Sequence, residues 1–182
     1  MINFRRVTED DLEMILHWRT KPEVTRFMTT DIDFDLEKQL RWFEDVVRKK
    51  TPPEHWIILQ DVRPIGLLNL ADYDHKLQQT SWGFYIGELD SWRVGGVVPI
   101  YFYNYMFFQR DLFLKKIIGH VFNLNSKVLQ LHRFHGCLEV GFLKDHITKY
   151  EKTYDITLVE MTRHGWLAQQ DRFSKFQANF EE

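Results

Sequence analysis

Cysteine is nearly missing from this chain. The single thiol, Cys137, excludes an internal disulfide and fits a reducing compartment. Excess charge is missing too: the formal net charge is -2 at pH 7, so the electrostatic footprint of a nucleic-acid binder is not there. Long hydrophobic runs are absent. The most apolar stretch, Val94 to Phe108, is too short to span a bilayer and is broken by Gly, Pro and Asn. The opening residues, Met1 to Asp11, carry no apolar segment of the kind a secretory signal needs. No internal repeat, linker or low-complexity stretch divides the 182 residues. The expectation is one cytoplasmic domain over 1–182, with neither a nucleic-acid nor a membrane partner.

Aromatic residues are plentiful, with Phe 15, Tyr 7 and Trp 6, enough to fill a core and to line a ligand cleft. Ile2 to Val7 predicts a strand. Thr8-Glu-Asp-Asp11 predicts the start of a helix, with Thr8 as N-cap, Leu12, Ile15 and Leu16 on its apolar face, and an end near Arg19 before Lys21-Pro22. Asp35 predicts a second helix, with Leu36, Leu40, Phe43 and Val47 as its apolar stripe and Thr51-Pro-Pro53 as its stop. Strands follow at His55 to Leu59, Ile65 to Leu70 and Gln79 to Glu88, with polar turns between them, the second at Ala71 to Lys76. Gly96 to about Gln109 is apolar nearly all round and predicts a buried helix. Lys116 to Val121 is a strand, and Asn125 to Phe134 is a helix closed by Gly136. Strands at Cys137 to Phe142 and Asp155 to Met161 are joined by a connection over Leu143 to Tyr154; Gly165 to Glu182 is a C-terminal helix or tail. An antiparallel meander followed by strand–helix–strand implies an α/β chain built on a mixed sheet.

Two segments carry chemistry. In Ser81-Trp-Gly-Phe-Tyr-Ile-Gly-Glu-Leu-Asp-Ser-Trp-Arg-Val-Gly-Gly-Val-Val-Pro99, a strand leads through a short Arg- and Gly-bearing loop into an apolar helix. That order presents backbone N–H groups at a helix start, where a pyrophosphate sits well. Further on comes Asn125-Ser-Lys-Val-Leu-Gln-Leu-His-Arg-Phe-His-Gly-Cys137.

The element order and these two segments resemble the GNAT superfamily of acyl-CoA-dependent N-acetyltransferases. That family's loop reads Arg/Gln-x-x-Gly-x-Gly/Ala. The six residues here are Ser91-Trp-Arg-Val-Gly-Gly96, with Ser91 in the leading place and the middle Gly moved to Gly95. Its second pattern, Asn-x-x-Ala-x-x-Leu-Tyr-x-x-x-Gly-Phe, is matched in spacing by Asn125, Val128, Leu131, His132, Gly136 and Cys137. The resemblance implies a GNAT fold, with a mixed, mostly antiparallel sheet flanked by helices, and acetyl-CoA as co-substrate without a metal. Phe84, Tyr85, Ile86 and Gly87 would hold the pantetheine, as would Asn125. Arg93, Val94, Gly95, Gly96 and Val97 would hold the pyrophosphate. His132 stands where the family's Tyr protonates the departing thiolate, a role an imidazolium can also take.

A narrower resemblance lies in His17-Trp-Arg-Thr-Lys-Pro-Glu-Val-Thr-Arg-Phe-Met28 and Leu40-Arg-Trp-Phe-Glu-Asp45. It is to the acetyltransferases of UDP-linked 4-amino sugars in pseudaminic acid synthesis. They carry Arg-x-x-Pro, then Met, then an apolar helix with a His at its inward edge. Arg19, Pro22 and Met28 match, and Gln39 takes the place of the His. The implied acceptor is a UDP-linked 4-amino-4,6-dideoxy sugar, bound through Arg19, Met28 and Gln39; the implied enzyme is a possible homo-oligomer. Lys144, His146, Lys149 and Tyr150 are either further diphosphate contacts or an exposed polar segment. Two rivals stay open: acetyl transfer to protein N-termini or another small amine, and a non-catalytic acyl-CoA-binding module. A metal site at His132, His135, Cys137 and Glu139 is disfavoured because a helix stop separates its members. A Cys137 nucleophile lacks an evident base.

Overall fold

The computed structural model describes residues 1–49, 52–71, 73–110 and 112–182. Thr51 of the expected helix stop and Asp72 of the expected second turn lie outside the described residues. Two compact units are present: Met1–Asp72, Gly83–Gly95 and Ala178–Glu182 form the first, Tyr73–Trp82 and Gly96–Gln177 the second.

The first unit opens with β1 (Ile2–Arg6) and a 3-10 turn, Glu9–Asp11, that leads into α1 (Leu12–Thr20). The turn is held by the Asp11 carboxylate, which accepts from the Thr8 backbone N–H at 2.8 Å and from Arg5 at 2.6 Å. α2 (Pro22–Thr25) begins on the proline that the sequence reading takes only as a helix stop; Pro at the first position lacks an N–H that would go unpaired anyway. α3 (Leu36–Trp42) is capped by Asp35, which accepts from the Lys38 N–H at 3.0 Å, and continues as a π-helical turn, Phe43–Val47. The expected apolar stripe is corrected here. Phe43 and Val47 are buried, but Leu36 and Leu40 are exposed and Gln39 takes their place in the interior. The steps of four from Gln39 to Phe43 to Val47 define the buried stripe, and α3 turns that stripe inward.

β2 (Glu54–Gln60) pairs antiparallel with β1 and with β3 (Arg63–Leu70), and β4 (Gln79–Ile86) comes next, so this part of the sheet runs β1-β2-β3-β4. The core joins Val7, Leu12, Ile15 and Trp18 to Phe43, Val47, Ile57 and Leu67. The last five residues return to β1. Phe180 stacks on Phe4 with ring centroids 4.0 Å apart, and the N–H of Phe4 and of Glu181 are both paired in that seam.

In the second unit the start of β4 runs parallel to β5 (Lys116–Phe122), through the pairs Gln79–Lys116, Thr80–Ile117 and Ser81–Ile118. The expected apolar helix is α4 (Val98–Asn104) with a π-helical turn, Tyr105–Gln109, and its Phe102, Tyr103, Met106 and Phe107 are buried as its composition requires. α5 (Ser126–Phe134) ends at Gly136, whose φ of 88° is the left-handed conformation glycine adopts without cost. β6 (Leu138–Lys149) and β7 (Lys152–Thr162) follow, in the order β4-β5-β7-β6. Leu143 to Tyr154 is therefore not a loop. Both strands extend through it to a two-residue turn at Tyr150-Glu151, with φ of 52° and 58°. That geometry favours Asn and Gly, and because neither is present the turn gave no signal. α6 (Arg163–Leu167) and α7 (Gln170–Phe173) close the unit, with Trp166 stacked on Phe173. The seven strands make a mixed, mostly antiparallel sheet flanked by helices. Among the described residues no helix is long and apolar enough to cross a membrane.

Burial pulls His55, His132 and His135 down to about 4 from the usual histidine value. In the unfolded chain these rings take up protons near pH 6.5, so between pH 6.5 and 4 the unfolded state binds more protons than the folded one. Stability is complete above that window and falls as pH is lowered through it, by at most about 1.4 kcal/mol per pH unit for each ring. Urea unfolding at a series of pH values is expected to show this decline, and His135→Leu is expected to flatten it.

Candidate active site

The site begins where β4 ends. Gly87 lies so close to α1 that a Cβ on it would sit 2.1 Å from the Trp18 ring. Trp18, 1 % exposed, donates its indole N–H to Glu88 Oε1 at 2.6 Å. Lys21, just before α2, donates to the Gly87 carbonyl at 2.7 Å. The Gly87 and Glu88 N–H groups both reach the Ile65 carbonyl, at 2.8 and 3.1 Å. Arg63 bridges Glu88 and Asp90, at 3.3 and 2.8 Å. The chain leaving β4 is thus gripped from α1 on one side and β3 on the other.

From that grip the chain winds into a 3-10 helix, Leu89–Gly96. The loop expected from the sequence is helical, and α4 starts at Val98 rather than Gly96. Ser91, in the leading place of the motif, is buried and donates to Gln60 Oε1 at 3.1 Å, so it anchors the segment. Arg93 is exposed over the exposed Trp92 ring, at 5.7 Å. Gly95 lies beside Ile86 and Phe84, where an added Cβ would make ordinary contacts at 3.4 and 3.7 Å. An added Cβ at Gly96 would meet nothing within 4 Å. Gly95 and Gly96 thus leave bare backbone next to the exposed guanidinium of Arg93. Val94 and Val97 are half-buried beside them.

Arg19 and Tyr85 meet in the first unit, as the charge of each acts on the other. One guanidinium nitrogen of Arg19, Nη2, donates to the Thr30 carbonyl at 3.1 Å. The other, Nη1, is buried and has no partner, and so is the Tyr85 hydroxyl. Burial lowers the Arg19 pKa and raises that of Tyr85, while the two groups partly offset this in each other. Tyr85 packs edge-on to Trp18. Met28 is half-buried in the segment that also carries Thr30. Gln39 is buried on α3, which packs against α1. Lys144 and His146 are exposed on β6, Lys149 is buried beside Tyr150, and all four stand on the hairpin.

The second unit holds the other expected residues. Asn125 precedes α5, but its side chain caps nothing in that helix. His132 is 5 % exposed, with Nδ1 3.6 Å from Cys137 Sγ, and Cys137 Sγ is 3.5 Å from the Tyr103 hydroxyl. Since burial holds its pKa near 4, His132 is neutral at pH 7. Its chemistry there is that of a neutral N–H, not of an imidazolium. Cys137 is pushed up to about 11 by burial, so its thiol stays protonated and is no nucleophile. Among the described residues no three or more His, Cys, Asp or Glu gather as metal ligands would.

Comparison with known proteins decides the family. The acetyltransferase (GNAT) domain matches residues 2–137. The chain belongs to this family. It is a GNAT acetyltransferase, and enzymes of this family use acetyl-CoA. It is similar to the acetyltransferase PseH of two Campylobacter jejuni strains. With serotype O:23/36 it is 24 % identical over 84 % of this chain and 87 % of the relative. With serotype O:2 it is 25 % identical over 86 % and 89 %. Its fold is that of the spermidine N-acetyltransferase of Vibrio cholerae, solved with CoA and spermine, with a TM-score of 0.82 and 16 % identity over 91 % of this chain and 98 % of that one.

The sequence reading finds the glycines and His132 but not Trp18, Glu88, Lys21, Tyr103 or the side chain of Tyr85. Gly83 and Gly87, on one face of the strand expected over Gln79 to Glu88, signal a bulge or a close ligand approach there. Gly87→Ala is expected to displace Trp18 and cost roughly 2 kcal/mol, as overpacking does. In a Trp18→Leu background the same change is expected to cost far less, and a urea-unfolding double-mutant cycle reads the difference.

Proposed function

We propose that this GNAT acetyltransferase moves acetyl from acetyl-CoA to the 4-amino group of a UDP-linked 4-amino-4,6-dideoxy sugar, in the cytoplasm, within a pseudaminic-acid-type nucleotide-sugar pathway. The observation that carries the acceptor is the buried, unpartnered Nη1 of Arg19 beside the unpartnered Tyr85 hydroxyl. A buried donor without an acceptor is costly. Two of them together suit a ligand rich in oxygen acceptors, such as a nucleoside diphosphate, and a guanidinium with one unpartnered nitrogen disfavours a cationic polyamine. The Arg19–Pro22–Met28 segment and the PseH relatives point the same way. Met28 and Gln39 flank this subsite in the proposal.

Acetyl-CoA brings the acetyl group as a thioester, and its transfer is by direct attack of the amine. Backbone groups of Phe84, Tyr85, Ile86 and Gly87 and the Asn125 amide hold the pantetheine. Arg93, Val94, Gly95, Gly96 and Val97 take the pyrophosphate. The protonated, buried Cys137 argues against an acyl-enzyme. His132 offers a neutral N–H hydrogen bond to negative charge that develops on the leaving sulfur. Positioning of the amine supplies most of the rate gain.

Arg19→Ala tests the acceptor. Loss of a charge-assisted hydrogen bond, about 1.5–3 kcal/mol, raises KM for the UDP-amino sugar roughly 10- to 100-fold. KM for acetyl-CoA and turnover of the same amino sugar without its nucleotide are expected to stay as they were. An equal effect on acceptors with and without the nucleotide contradicts the assignment.

A further inference from the structure

Two of the three places where the second GNAT pattern is altered are in contact. His132 stands in the family's Tyr position and Cys137 in its Phe position, and the Nδ1 of one lies 3.6 Å from the Sγ of the other. The contact extends further. Cys137 Sγ is 3.5 Å from the Tyr103 hydroxyl. Trp82 also meets both rings edge-on, with centroids 5.5 Å from Tyr103 and 6.4 Å from His132. All four side chains are buried.

The direction of this chain follows from the Tyr103 hydroxyl. A buried phenol proton needs an acceptor, and Cys137 Sγ is the partner the structure gives it. The thiol, kept protonated, has its own proton to place, and the nearest acceptor is His132 Nδ1. Nδ1 therefore accepts, and the one proton of the neutral ring resides on Nε2.

We infer that Tyr103, acting through Cys137, fixes the tautomer of His132, so that Nε2 and not Nδ1 carries the N–H. Cys137 and Tyr103 are positioning residues in this account, acting through His132. The value of the lock for transfer rests on the reading that His132 hydrogen-bonds the leaving sulfur. A ring held in the other tautomer would present a lone pair to that negative charge and repel it.

Long-range proton–nitrogen NMR on protein labelled at the histidine nitrogens reads the tautomer directly, without substrate, at pH 7. The His132 signals are assigned by their loss in His132→Asn. Wild type is expected to show a protonated Nε2 and a bare Nδ1. Cys137→Ala and Tyr103→Phe are expected to move His132 toward the Nδ1–H form or a mixture. Cys137→Ser, which keeps a donor, is expected to retain the wild-type form. A protonated Nδ1 in wild type overturns the inference, as does a tautomer unmoved by both Cys137→Ala and Tyr103→Phe. In turnover, Cys137→Ala is expected to lower kcat about tenfold, a part of what proton placement contributes, with KM for acetyl-CoA unchanged and activity recovered in Cys137→Ser. An unchanged kcat beside the expected NMR shift leaves the lock standing and counts against the part given to His132 in the transfer.

Discussion

The approach of Trp18 to Gly87 is the constraint on which the site depends. The Trp18 ring fills the volume that a Cβ on Gly87 would need, and its N–H on Glu88 turns that contact into a fixed register between α1 and the end of β4. Close packing makes such a contact all-or-none, because a core has no slack to absorb an extra methyl group. Lys21 on the Gly87 carbonyl and Arg63 on Glu88 reinforce it from two directions. The 3-10 helix that bears Arg93, Gly95 and Gly96 starts from this point, so the position of the whole segment is inherited from it.

Two sets of buried polar groups bear on the site. In the second unit Tyr103, Cys137 and His132 are linked in a continuous chain, as buried networks must be if they are to be stable. In the first unit Arg19 Nη1 and the Tyr85 hydroxyl have no partner. Native proteins seldom tolerate such atoms without a use for them. A ligand that supplies the missing acceptors removes the cost, which ties acceptor binding to the order of the Thr30 segment held by the same arginine. In the proposal the network presents one donor, and the unsatisfied pair takes the ligand.

Much of the fold is legible in the sequence. Capping residues, polar turns and apolar spacing identify at least part of each described strand, the helices from Leu12, Leu36 and Ser126, and the buried helix after Val97, because each signal is local. The exceptions have local causes as well. The Tyr150-Glu151 turn lacks the residues that advertise it, and the stripe of α3 is shared by a glutamine that pattern reading assigns to solvent. The site is different in kind. Gly95, Gly96 and His132 stand out by resemblance, but the neutrality of His132 follows from burial, which no spacing encodes. The Trp18–Glu88 bond joins residues 70 apart in sequence, and Tyr103 lies 34 residues before the thiol it touches. Such pairings belong to the packed chain and not to any one segment of it.

The central claim is that a GNAT acetyltransferase with an acceptor-seeking arginine at the end of α1 acts on a nucleotide-linked amine. Its most direct test is thiol release from acetyl-CoA with a UDP-4-amino-4,6-dideoxy sugar, run beside spermidine and a panel of N-terminal peptides. The account predicts turnover with the nucleotide sugar and background rates with the others. Turnover with spermidine or the peptides, and none with the nucleotide sugar, would contradict it.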